Sequence, residues 1–196
     1  MPTQAERTEA TRATLIRAAR RLFAGKGFAG SSTEEILAVA GVSRGAMYHH
    51  FPDKKALFRA AFEAVEGDLT AQVSSAVGRS TEPVGQLQLA FDAFMDQYRN
   101  PDVQRIVMLD GPTVLGWDTW HEIDERYVFG SIKTVLTSAA GQGVIDDGTV
   151  EPLSHLILGA VMQAGMVVAR SDDQTAARKH RHDRTRHRIA LRGSRL

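Results

Sequence analysis

Apolar residues fall along this chain in single-faced stripes at helical spacing, separated by short polar breaks, and nowhere in the residue-by-residue alternation of a half-buried strand. Leu15, Ile16, Ala19, Leu22 and Phe23 form the first stripe, predicting a helix from about Thr8 to Ala24, with Gly25 and Gly27 following where a left-handed stop costs least. Ser32-Thr33-Glu34-Glu35 reads as a capping box, in which the Ser32 hydroxyl accepts from the amide three residues on while Glu35 reaches back. A second helix therefore starts there and runs to about Ala40. Gly41 permits a sharp turn, Val42 plugs inward, and Ser43 caps a short third helix from Arg44 to His50. Phe51-Pro52 ends it, because the residue before a proline is pushed out of the helical region.

Asp53 caps a fourth helix whose stripe, Leu57, Phe58, Ala61, Phe62, Val65, Leu69, Val73 and Val77, is long enough to span both halves of the molecule. Pro83 suits the first position of the next, which carries Val84, Leu87, Phe91, Phe94, Met95 and Tyr98 on one face and breaks at Asn100-Pro101. After the apolar run Val103 to Leu109, Asp110-Gly111-Pro112 predicts a turn. Trp117 to Ala140 predicts a further helix, stopped by Gly141 and Gly143. Leu153 to Ala169 is apolar nearly all round, so it must be buried on more than one side, either centrally or at an oligomer interface. The pattern is that of an all-α protein: a three-helix head over residues 1–53, a larger helical body over 54–170, and an atypical tail over 171–196.

A helix, a tight glycine-containing turn and a second short helix are the parts of a helix-turn-helix, whose second helix enters the major groove of DNA N-terminus first. Arg44 is the first residue able to project there, and its planar fork matches the O6 and N7 acceptors of guanine. Gly45 and Ala46, after the capping Ser43, leave room for close approach to base edges. Tyr48, His49 and His50 lie around the next turn, within reach of phosphates, and Lys54 at the start of the fourth helix is placed to neutralise one.

The string Ala-Gly-Val-Ser-Arg-Gly-Ala-Met-Tyr-His-His-Phe-Pro-Asp-Lys-Lys-Ala-Leu-Phe at 40–58 closely resembles the DNA-binding signature of the TetR family of regulators, and Ala18 to Phe28 and Thr33 to Ile36 resemble it too. The resemblance implies a three-helix DNA-binding head, a body that binds a small effector, and a homodimer on a palindromic operator. It assigns Thr33 and Lys54 to phosphate contacts, Arg44 and Gly45 to base reading, and Tyr48, His49 and His50 to backbone or methyl contacts. It implies a repressor released by its ligand. An activator, or a helical interaction protein that has lost specific DNA binding, remains a rival.

Large side chains on the body helices are candidates for lining an apolar or amphipathic effector's pocket: Phe62, Phe91, Phe94, Met95, Met108, Trp117, Trp120, Tyr127, Met162 and Met166. Stripes of this kind are more often plain core. Leu156, Gly159, Ala160, Gln163, Met166 and Val167 are candidates for a dimer interface on the last apolar helix, whose small residues permit close approach.

Charge sharpens this division. Residues 1–60 carry 10 Lys/Arg against 5 Asp/Glu, residues 61–177 carry 6 against 17, and residues 178–196 carry 8 against 1, although the net charge is only +1. A basic head on an acidic body suits a protein that touches phosphate with its head alone. There is no cysteine, which argues for a reducing cytoplasm and against a disulfide framework. The polar N-terminus and the lack of an apolar run of about 20 residues predict a soluble protein with no membrane partner. No nucleophile elbow, phosphate-cradling glycine loop or paired metal spacing is found, so no catalytic residue, cofactor or metal is expected; His121 and His155 are expected to be satisfied or solvent-facing. After Ala177 the apolar period stops and an Arg- and His-rich run begins, which reads as disordered and as an altered reading frame in place of the family's usual last helix.

Overall fold

Thr3 starts the first helix earlier than the apolar stripe implies: its hydroxyl accepts from the Glu6 amide at 3.2 Å, and Glu6 accepts from the Thr3 amide at 2.6 Å. The computed structural model describes residues 3–170, and the expectations for the tail fall outside the described residues. Helix α1 spans Gln4–Gly30, with its break at Gly27 (φ 72°) and not at Gly25. Helix α2 (Thr33–Ala40) carries the expected Ser32–Glu35 capping box and ends at Gly41 in the left-handed conformation. Helix α3 (Arg44–His50) is capped by Ser43, whose hydroxyl accepts from the Ala46 amide at 3.2 Å. The three pack around Phe23, Ile36 and Met47, all fully buried.

Helix α4 (Lys54–Val77), capped by Asp53, leaves the head and packs along α1 and then α5 (Pro83–Gln97). A π-helical segment, Val103–Asp110, runs straight into α6 (Gly111–Leu115). The turn expected at Asp110-Gly111-Pro112 is therefore absent. A Cβ on Gly111 would stand 2.8 Å from the Trp120 ring and 2.9 Å from Phe62, so tertiary packing holds this glycine in a helix. Pro112 falls in the first turn of α6, where its missing N–H is tolerated. The actual break is Gly116 (φ 89°). From there α7 (Trp117–Asp124), a π-helical segment (Glu125–Phe129) and α8 (Gly130–Gly141) form the single long rod that the sequence predicts, with wider turns at its middle. After a 3₁₀ turn at Asp147–Thr149, α9 covers residues 150–170. No strand occurs among the described residues.

Residues Asp147–Arg170 are long and apolar enough on average to cross a membrane by length and composition, but here Ser154, Leu158, Val161 and Ala169 are buried in the body. The opposite side of α9 is exposed, so in a single chain this helix is covered on one side only. One cluster of buried apolar side chains runs without interruption from Leu15 in the head to Ala169 in α9.

The end of α1 is tied down by polar side chains from other elements. Lys54 Nζ donates to the carbonyls of Phe28 (2.9 Å) and Ser31 (3.0 Å) and lies 4.0 Å from the Phe28 ring centroid. Asp110 Oδ2 accepts from the Phe28 amide at 2.6 Å, and Arg105 approaches that carboxylate at 3.4 Å. Farther up α1, Arg20 bridges Asp68 of α4 and Asp102, the latter at 2.6 Å.

Two carboxylates are buried in the body, Glu66 of α4 and Asp124 of α7. Burial, then repulsion from Glu125, pushes the Asp124 carboxyl up to about 7; burial, then the Asp124 charge, pushes Glu66 well above the ordinary carboxylate range. Both bind protons more tightly folded than unfolded, so the stability of the protonated forms is fully present below about pH 4. For Asp124 it is lost as pH rises through about 7. Asp124→Asn, neutral throughout, is expected to gain melting temperature over the parent protein between about pH 5 and about pH 8. Parallel melting curves at the two pH values would rule this out.

Candidate nucleic-acid interface and cavity

Short as α3 is, its sides differ sharply. Met47 is fully buried against the head core, whereas Arg44, Gly45, Tyr48 and His49 share one exposed face, with Ala46 and His50 half-buried at its edges. That spacing, two adjacent residues and the two one turn later, follows from 3.6 residues per turn. The capping Ser43 is exposed, and a Cβ on Gly45 would meet nothing within 4 Å, so the backbone there is open to close approach. Six of the residues singled out for DNA therefore lie on or beside a single face, and Thr33 stands half-buried at the start of α2.

Two details were not legible beforehand. Arg44 is ion-paired across the turn with Glu34 of α2, and both side chains are well exposed. To serve the base-reading role the resemblance implies, its guanidinium has to leave that carboxylate, with Glu34 competing for the same donors. The sequence signal was present, since Glu34 sits beside the capping Glu35, but only the angle between α2 and α3 brings it to Arg44. Glu35 is otherwise engaged: Lys26 at 2.7 Å, then the Ser32 backbone, holds its carboxyl below the ordinary value. Lys54, singled out for a phosphate, has two of its three N–H groups committed to the end of α1.

The body contains a cavity of about 480 Å³, within the range of small-molecule sites. Val73 and Val77 of α4 face Leu87, Phe91 and Phe94 of α5 across it, Tyr127 and Val135 form a third side, and Ile157 and Val161 of α9 a fourth. Thr70, Ser74, Ser131 and Thr134 supply its few polar groups. Phe91, Phe94 and Tyr127 are the members of the predicted pocket set that line it; Phe62, Met95, Met108, Trp117, Trp120, Met162 and Met166 do not. Phe62 and Trp120 are fully buried core, Trp120 also donating from Nε1 to the Val107 carbonyl at 2.9 Å, and Trp117 is 58% exposed. His121, expected to be satisfied or in solvent, is half-buried with Nδ1 unpaired. His155 faces solvent beside Glu151. Glu66 escaped notice because it lies inside the apolar stripe, between Val65 and Leu69, and an acid in that position was the available signal.

The dimer candidates Leu156, Gly159, Ala160, Gln163 and Val167 lie together along the exposed side of α9, Leu156 being 69% exposed, while Met166 is half-buried at its edge.

Glu34→Gln is expected to tighten operator binding by a factor of roughly two to five, because an exposed pair that competes with the bases is worth little by itself. Titration of the variant against the same duplex checks this, and weaker binding would show that Glu34 positions Arg44 instead of competing for it.

Comparison with known proteins agrees with this arrangement. Residues 15–61 match the family described as bacterial regulatory proteins, tetR family, and residues 84–189 match that described as tetracyclin repressor-like, C-terminal domain. The HTH-type transcriptional regulator UidR of Escherichia coli is 30% identical over 166 residues, covering 74% of this chain and 85% of that one. The HTH-type transcriptional regulator CymR of Pseudomonas putida is 46% identical over 68 residues, 35% of this chain and 34% of that one. Among solved structures, a TetR-family transcriptional regulator from Pectobacterium atrosepticum superposes with a TM-score of 0.75 at 30% identity, covering 89% of each chain. With an open recognition helix on a capped three-helix head and a helical body matched over more than half its length, the chain belongs to the TetR family of DNA-binding transcriptional regulators.

Proposed function

We propose that this protein is a cytoplasmic, homodimeric repressor that occupies a palindromic operator and leaves it when a small apolar or amphipathic molecule fills the cavity in its body. The observation that carries this reading is the continuity of α4, which holds the end of α1 through Lys54 at one end and lines the cavity through Thr70, Val73 and Val77 at the other. Head (1–53) and body (54–170) are then two parts, with α4 as the lever between them. A ligand need only bind more tightly to the arrangement in which the two heads are wrongly spaced.

The exposed side of α9 supports pairing with a second copy: apolar Leu156 and Val167 flank Gly159 and Ala160, which let helices approach closely. In the paired state the two α3 faces stand about one DNA turn apart, roughly 34–36 Å. Arg44 and Gly45 read base edges, Tyr48, His49 and His50 the flanking backbone and thymine methyls, and Ser43, Ala46, Thr33 and the remaining N–H of Lys54 complete the contact.

Selection of bound sites from random duplexes at two salt concentrations tests this. A palindrome with half-sites about one helical turn apart is expected. Arg44→Ala should weaken binding to it by about 1–3 kcal/mol and relax preference at one base pair. Salt-sensitive binding without sequence preference would point instead to a helical protein that has lost specific recognition.

A further inference from the structure

Glu66, Tyr98 and Asp124 lie near one another just beyond the head-facing end of the cavity, and none of the three lines it. Each lies about one turn from a cavity-lining residue on its own stretch of helix: Glu66 before Thr70, Tyr98 after Phe94, Asp124 before Tyr127. The two stretches touch there, since Thr70 Oγ1 donates to the Tyr127 carbonyl at 3.4 Å and a Cβ on Gly67 would stand 3.9 Å from the Tyr127 ring. Glu66 and Asp124 are 0% and 1% exposed, yet both oxygens of Glu66 and Oδ2 of Asp124 have no hydrogen-bond partner. Unpaired buried acceptors are costly and rare. Among the described residues no ion pair offsets them, and the charges acting on either carboxylate are acids, Asp124 on Glu66 and Glu125 on Asp124. Tyr98, whose ring is stacked on Phe94 at 6.4 Å between ring centroids and closely approached by Gly165, is the third buried polar group near them.

We infer that Glu66 and Asp124 become the polar end of the ligand site when that end of the cavity opens, and that the effector carries a protonated amine that lodges between them while its apolar part fills the cavity. This rests on the reading of the cavity as the effector site and names the chemical class that site selects. An ammonium supplies N–H donors to the unpaired oxygens and a charge that keeps both carboxylates ionised, in surroundings where charge-assisted hydrogen bonds are strong. A neutral hydroxyl satisfies an oxygen without the charge, and a ligand carboxylate adds a third acid. Because Glu66 is on α4, the ligand's head group engages the same helix that carries Lys54 at the DNA-binding head.

Isothermal titration of the full chain with octylamine, 1-octanol and octanoate tests this directly, since the three share one apolar tail and differ in head group. Octylamine is expected to bind roughly tenfold or more tighter than octanol, with octanoate weakest. Glu66→Gln and Asp124→Asn should each erase most of the amine preference while leaving octanol affinity within about twofold. Equal affinity for amine and alcohol, or a preference that survives both substitutions, overturns the inference while leaving the cavity as a binding site. Failure of all three molecules to bind overturns the cavity reading as well.

Discussion

Everything in the head depends on how α1 ends. At Gly27 the backbone turns left-handed, and the polar groups of Phe28 and Ser31 lose their place in the helix. The side chains that satisfy them come from elsewhere in the chain: Lys54 at the start of α4 takes two carbonyls, and Asp110 at the end of the π-helical segment takes the Phe28 amide. The same residues are wrapped in a cluster of Phe23, Phe28 and Phe58, with ring centroids 5.2–5.8 Å apart. The segment that introduces α2 and the recognition helix is thus held by the body as well as by the head, and a shift of either α4 or the Asp110 segment reaches α3.

The proposed ligand response uses that joint. Thr70, Val73 and Val77 line the cavity on the same helix that begins at Lys54. Gly111 follows Asp110 directly and is wedged against Trp120 and Phe62, the latter one turn of α4 before Glu66. In the proposed response, occupation of the cavity bears on the Lys54 attachment along α4 and on the Asp110 attachment through Phe62 of the same helix, by way of packed side chains that have discrete arrangements more than continuous ones.

What was legible in the sequence is what neighbours along the chain decide. The Ser32–Glu35 box, the Ser43 and Asp53 caps and the left-handed Gly41 are settled within a few residues, and the head follows from them. Gly25 and Gly27 looked equivalent, and what distinguishes them comes from the body: the Asp110 carboxylate accepts from the Phe28 amide, and Arg105 lies where a Cβ on Gly27 would stand. Asp110-Gly111-Pro112 has the composition of a turn, but Trp120 and Phe62 close on Gly111 and keep it helical. Size alone did not separate cavity from core: Phe94 lines the space, while Phe62 and Trp120 fill their own. Glu34 meets Arg44, and Glu66 the charge of Asp124, from another helix, so the sequence signals of both acids could be read only once the angles between helices were known.

The most direct test of this joint is the operator affinity of an Asp110→Ala variant, which removes the acceptor of the Phe28 amide, measured across a range of salt concentrations. Binding weaker than that of the parent protein at every salt concentration, with an unchanged salt slope, is predicted, because the change loosens the head without removing a phosphate contact. Parent-like affinity would contradict the claim that the body holds the recognition helix in place through the end of α1.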